Sequence, residues 1–147
     1  MMEKEEQYQK LTCSLRSLLV GETDDIARMA NISALLHQTF GFWWTGFYRV
    51  IGDELVLGPF QGPVACMHIA FGRGVCGTAW KEERTIVVPD VDLFPGHIAC
   101  SSESRSEIVV PVKRNGRIVA VLDIDSREPA NFDDTDALCL ESIAALL

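Results

Sequence analysis

The amino-acid sequence predicts an α+β fold: a six-stranded antiparallel sheet with helices packed on one face. Three observations carry that expectation. Apolar residues recur at helical spacing at both ends of the chain. The middle consists instead of short β-branched and aromatic runs separated by glycine, proline and serine. Two turn signals, Gly52-Asp53 and Arg114-Asn115-Gly116, stand between such runs as hairpin connections. An antiparallel sheet covered by the helices is the simplest way to bury these faces together.

The elements follow in order. Leu11, Leu15, Leu18 and Leu19 predict an amphipathic helix over residues 4–20, stopped by Gly21. Asp24 caps a second helix with Met29, Ile32, Leu36 and Phe40 on one face, ended by Gly41. Strands are predicted over 43–50 and 54–57, then a loop over 59–66 and a short strand over 67–70. A glycine turn opens a short helix over 75–82, and a strand over 85–88 stops at Pro89. Residues 89–104, with Pro95-Gly96 and a serine cluster, form a long irregular loop, which in a compact domain is usually functional. A hairpin spans 107–125, and Asp133 caps a last helix with Ala137, Leu140, Ala144 and Leu147 aligned.

The 147 residues fit one domain over 1–147: N-terminal helices (1–40), sheet and loops (41–132) and a C-terminal helix (133–147). The N-terminal helices are free to pair in a homodimer or to pack on the sheet. A net charge of −8 argues against nucleic acid and against anionic membrane surfaces. No apolar run is long enough to span a bilayer, and the start Met1-Met2-Glu3-Lys4-Glu5-Glu6 is too charged for a signal peptide, so the expected compartment is cytoplasmic.

A reducing compartment changes how the five cysteines are read. Cys13 and Cys139 fall in helices and read as small buried or half-buried apolar residues. Cys66, Cys76 and Cys100 fall on glycine-rich or serine-rich loops, where reactive groups tend to be mounted. His37 and His97 read as surface or loop residues. A metal site built on Cys66, His68, Cys76 and Cys100 is disfavoured, because Cys-x-His is too short a signal and no Cys-x-x-Cys exists.

Asp123 and Asp125 are two residues apart on one strand and project to the same side of the sheet. Whether Glu107 joins them depends on the turn. A two-residue Asn115-Gly116 loop sets Glu107 opposite Ile124, facing away. A three-residue Arg114-Asn115-Gly116 loop sets it opposite Asp123, with all three carboxyls on one face. Glycine at the third loop position suits the bulged turn, so that register is the one expected. Three clustered carboxyls need a cation or a shared proton, unless the strand ends simply splay into water.

From Gly41 onward the chain resembles the free methionine-(R)-sulfoxide reductase family, built on a GAF fold. The matching stretches are Trp44-Thr45-Gly46-Phe47-Tyr48, Gln61-Gly62-Pro63-Val64-Ala65-Cys66, Gly72-Arg73-Gly74-Val75-Cys76-Gly77, His97-Ile98-Ala99-Cys100, Leu122-Asp123-Ile124-Asp125-Ser126 and Phe132-Asp133-Asp134. The resemblance implies a thiol-dependent oxidoreductase acting on free methionine-(R)-sulfoxide. It implies that Cys100 attacks the sulfoxide sulfur, that Cys66 resolves the sulfenic acid as a disulfide, and that Cys76 takes part in a further exchange. It implies thioredoxin as external reductant, with no bound cofactor or metal. Glu107, Asp123 and Asp125 match substrate-binding carboxylates, and Trp44 and Tyr48 match pocket aromatics. The rival readings are a non-catalytic GAF small-molecule-binding module and a general thiol peroxidase.

Overall fold

A computed structural model describes residues 2–97 and 103–147. Helices α1 (Lys4–Leu19) and α2 (Asp25–Phe40) open the chain. Strands β1 (Trp44–Ile51), β2 (Glu54–Gln61) and β3 (His68–Ala70) follow, then helix α3 (Gly74–Glu82) and strand β4 (Ile86–Val88). After a 3-10 turn at Val91–Leu93 come β5 (Ser106–Arg114), β6 (Arg117–Ser126) and helix α4 (Asp134–Ala144). The strands make one six-stranded sheet in the order β3-β2-β1-β6-β5-β4, and every neighbouring pair is antiparallel.

The helix ends follow the local chemistry. Asp24 accepts a hydrogen bond from the Ala27 N–H at the start of α2, and Gly41 closes that helix in the left-handed conformation. Asp133 and Asp136 form a reciprocal capping box at α4. Tyr8 of α1 donates to Asp136 at 2.6 Å and Lys4 pairs with the same carboxylate at 2.7 Å, tying the two ends of the chain together. Leu18, expected on the buried stripe of α1, faces outward; Tyr8 takes that place beside Leu11, Leu15 and Leu19.

Alternation along the strands sorts the interior into two cores. Phe47, Ile108, Val110, Val112, Ala120, Leu122 and Ile124 meet the apolar faces of α1, α2 and α4 on one side. The N-terminal helices therefore pack on the sheet. Trp44, Tyr48, Val109 and Val121 face the other side, where α3 and the loops cover them through Val75, Cys76 and Ala79. The three long helices occupy one face as expected, and the short α3 roofs the opposite face.

Two strand details differ from expectation. β2 runs on through Gly58-Pro59 to Gln61, with a register slip between the pairings of Gly46 and Tyr48. β3 pairs only with Glu54–Val56, so the N–H that Pro59 lacks has no ladder to serve there. The β5–β6 turn is the two-residue form: Arg114 pairs with Arg117, and Asn115 and Gly116 both have positive φ, at 54° and 79°. The odd residue sits further along. Lys113 pairs with Ile118 but Val112 with Ala120, leaving Val119 as a bulge. Glu107 consequently stands opposite Asp125, where Asp123 was expected. Either displacement is an odd number of residues from the unbulged register, so the facing of Glu107 is the same.

Candidate active site

The bulge decides the chemistry beneath α3. Glu107, Asp123 and Asp125 share the sheet face that carries Trp44 and Tyr48, and all five line one cavity. The space enclosed, its open mouth included, is about 570 Å³. Glu107 is 6% exposed and Asp123 5%, so bulk water does not solvate these carboxyls as it would at a splayed strand end. Asp125 is half-buried and accepts a hydrogen bond from Ser104 Oγ at 3.2 Å.

Cys76 comes to the same place from α3. The turn before it uses left-handed glycines, Gly72 at φ 76° and Gly74 at φ 62°. Gly77 packs so closely on the preceding turn that an added Cβ would lie 2.8 Å from the Ala70 carbonyl oxygen. This seats the first turn of α3 on the cavity, with Gly74, Val75 and Cys76 lining it and Arg73 beside them. Ligand atoms of Cys76, Glu107 and Asp123 all lie within 4.8 Å of one another. Among the described residues, Asp123 Oδ1 is buried without a hydrogen-bond partner.

Burial dominates the electrostatics. It holds the Glu107 carboxyl well above the usual range, and the Asp123 and Asp125 charges add to the effect. Burial and Asp123 do the same to Asp125. Asp123 is raised by burial, with hydrogen bonds to Glu107 and Cys76 acting in the other direction. The Cys76 thiol is pushed well up by burial and then by the neighbouring carboxyls. The cluster therefore keeps its protons to higher pH than exposed carboxyls do, and an incoming cation relieves the crowding of its charges.

The aromatic residues do two jobs. Trp44 stacks on Phe60 with ring centroids 5.1 Å apart and on Tyr48 at 5.9 Å, forming an apolar wall. Their polar tips hold the loop after β2. Trp44 Nε1 donates to the Pro63 carbonyl at 3.0 Å, and Tyr48 OH donates to the Cys66 carbonyl at 2.9 Å. Cys66 itself takes part in a disulfide. Cys76 and Cys139 are free thiols, as is Cys13, which is exposed on α1 where a buried or half-buried side chain was expected. Cys100 lies outside the described residues.

A GAF domain family profile matches residues 26–147. The free methionine-R-sulfoxide reductase of Escherichia coli is 46% identical over 147 residues, covering 99% of this chain and 89% of that protein. The chain belongs to the free methionine-(R)-sulfoxide reductase family. GAF domain-containing protein A of Dictyostelium discoideum is 54% identical, over 98% of this chain and 92% of its own. The solved free methionine-R-sulfoxide reductase from Neisseria meningitidis, in complex with its substrate, superposes with a TM-score of 0.96 at 53% identity, over 98% of this chain and 87% of that one.

Of the residues that membership in this reductase family brings forward, Trp44, Tyr48, Cys76, Glu107, Asp123 and Asp125 line the cavity together. Three polar residues of the lining were not among the expected site residues. His97 lies on its loop as expected, but its side chain is only 16% exposed and its Nε2 is 3.9 Å from Glu107 Oε1. Ser104 positions Asp125, and Arg73 flanks the first turn of α3. The signal for His97 and Ser104 was their place on the long loop over 89–104, Ser104 at its end. His68 is exposed and pairs with Glu54 at 2.9 Å, which separates it from any site shared with Cys76.

Proposed function

We propose that this chain reduces free methionine-(R)-sulfoxide to methionine using its own cysteines as the electron source. The observation that carries the reading is the convergence of two buried carboxyls and one half-buried one, a thiol and an aromatic wall on one cavity. A free amino acid presents an ammonium group beside its side chain; a methionine sulfoxide within a polypeptide does not. An acidic cluster rewards the first and leaves buried carboxyls unpaired with the second. The substrate carboxylate meets the backbone N–H groups at the start of α3, which no side chain caps among the described residues, with Arg73 alongside.

In the proposed reaction the Cys100 thiolate attacks the sulfoxide sulfur while Glu107, kept protonated by its surroundings, donates a proton to the sulfoxide oxygen. Methionine leaves and Cys100 carries the oxygen as a sulfenic acid. The Cys66 thiol condenses with it, releasing water and forming a disulfide. Two electrons from an external dithiol such as thioredoxin restore both thiols, so no bound cofactor is needed. Asp125 and Asp123 take the substrate ammonium. The raised thiol of Cys76 makes it a poor first nucleophile, which leaves it the later exchange. The reading includes a cytoplasmic location, where thioredoxin keeps thiols reduced. No helix among the described residues is long and apolar enough to cross a membrane.

A single assay tests the reading. Reduced protein is given the free R sulfoxide, the free S sulfoxide or an oxidised peptide, and methionine and remaining thiols are counted. Reduction requires loss of two thiols per methionine released, with the free R epimer alone. Binding of the sulfoxide with no thiol loss would identify a small-molecule-binding GAF module instead.

A further inference from the structure

The cavity carries a ligand set that amino-acid binding alone does not require. Cys76 Sγ and one carboxylate oxygen each from Glu107 and Asp123 are mutually within 4.8 Å, and all three residues are buried. The buried Oδ1 of Asp123, without a partner among the described residues, lines the same space. His97 Nε2 lies 3.9 Å from Glu107 Oε1, beside this group but not within it. One sulfur, one imidazole and two carboxylates are the donor types zinc takes, and its bond lengths set tetrahedral ligands about 3.5 Å apart. Binding a cation therefore requires these ligands to draw inward, with His97 brought to it by side-chain rotation.

We propose that the reduced protein has a site for one thiophilic divalent cation of the zinc type, made by Cys76, Glu107 and Asp123 with His97 as fourth ligand. A cation there supplies the compensation that three crowded carboxyls lack, and it gives the orphaned oxygen of Asp123 a partner. It also occupies the ground on which an ammonium group would sit. Metal and amino acid therefore exclude each other. The site differs wholly in position from the exposed His68–Glu54 pair on β3 and β2.

The test uses Co²⁺ as the probe, added to the fully reduced chain without oxygen. One equivalent is expected to give thiolate-to-cobalt charge-transfer absorption in the near ultraviolet and tetrahedral bands in the visible, both erased by Zn²⁺. Cys76→Ser removes the charge-transfer band. Asp123→Asn lowers Co²⁺ affinity by at least about tenfold, as losses around a metal centre do. Cys13→Ser and Cys139→Ser keep the spectrum, which separates the site from the other free thiols. Folding of each variant is followed by far-ultraviolet circular dichroism; should Cys76→Ser not fold, the wild-type spectrum and Asp123→Asn decide. A folded, reduced protein with no charge-transfer band, or one that keeps it in Cys76→Ser, overturns the proposal. Free methionine sulfoxide is expected to weaken Co²⁺ binding; simultaneous binding of both overturns the shared site. Cobalt binding by a chain that reduces no sulfoxide leaves this site standing and refutes the reductase reading alone.

Discussion

Glu107 stands directly across the β5–β6 ladder from Asp125, and both carboxyls turn to the same side of the sheet as Asp123. The pairing results from one bulged residue, Val119, between the turn and the site. Without it Glu107 would fall opposite Ile124 and join the core against α1, α2 and α4, where a carboxyl has no partner. The bulge is thus the local feature on which the acidic cavity depends.

That crowding has a cost that depends on pH. Folding raises the Glu107 and Asp125 carboxyls, chiefly by burial, so the native state holds these protons to higher pH than the unfolded chain. Their contribution is fully present below the ordinary carboxylate value of about 4 and is lost as pH rises through the raised values. The wild-type melting temperature is expected to fall from pH 5 toward pH 8 more steeply than that of Glu107→Gln or Asp125→Asn. A gain of about 1 kcal/mol at pH 8 would lift Tm by roughly 3 °C in a domain this size. Thermal melts across that range check it, and parallel slopes would contradict it.

Glu107→Gln keeps the shape of the cavity but removes the proton donor assigned to the sulfoxide oxygen. A general acid contributes about 10²–10⁴-fold. The turnover number is expected to drop within that range while substrate affinity changes little, as read by methionine release. A loss confined to KM would assign Glu107 to ammonium binding instead.

The two loop cysteines separate kinetically. Cys100→Ser is expected to release no methionine. Cys66→Ser is expected to release about one methionine per chain and then stop, with a sulfenic acid trapped by a dimedone-type reagent. Mass spectrometry of the trapped protein locates the adduct, and an adduct elsewhere than Cys100 would reassign the nucleophile.

Tyr48 OH donates to the Cys66 carbonyl, so Tyr48→Phe frees the loop that carries Cys66. About 1 kcal/mol of stability is expected to be lost with that hydrogen bond. Disulfide formation slows, whereas the first methionine appears at the wild-type rate. Quenched-flow comparison of methionine release with thiol loss distinguishes this positioning role from a general loss of structure.

Gly46 lies opposite Asp123 on β1, and a Cβ there would sit 2.3 Å from Phe60 Cβ and 2.9 Å from the Pro59 carbonyl oxygen. Neither atom is the end of a flexible chain. Gly46→Ala is expected to destabilise by about 1–3 kcal/mol as the β2 bulge is forced outward. Chemical denaturation measures it, and a neutral result would mean β2 yields without strain.

Much of this was legible along the chain. Helix stops at Gly41, caps at Asp24 and Asp133, the alternation of β5 and β6 and the loop setting of Cys66 are local features, set by residues a few positions apart, whereas Cys76, expected on a reachable loop, is buried in the first turn of α3. Nearest-neighbour chemistry is enough to place them. The bulge at Val119 was not legible, because a one-residue slip is settled by how the whole pair packs against both cores. Nor was the meeting of Cys76, carried by α3, with Glu107 and Asp123 on strands more than thirty positions later, or the inward turn of His97. The chain by itself determined which chemical groups were present and which faces they shared. Only tertiary structure decided which of them became neighbours, since burial and mutual distance, the quantities that shift protons and assemble ligands, come from packing between distant segments.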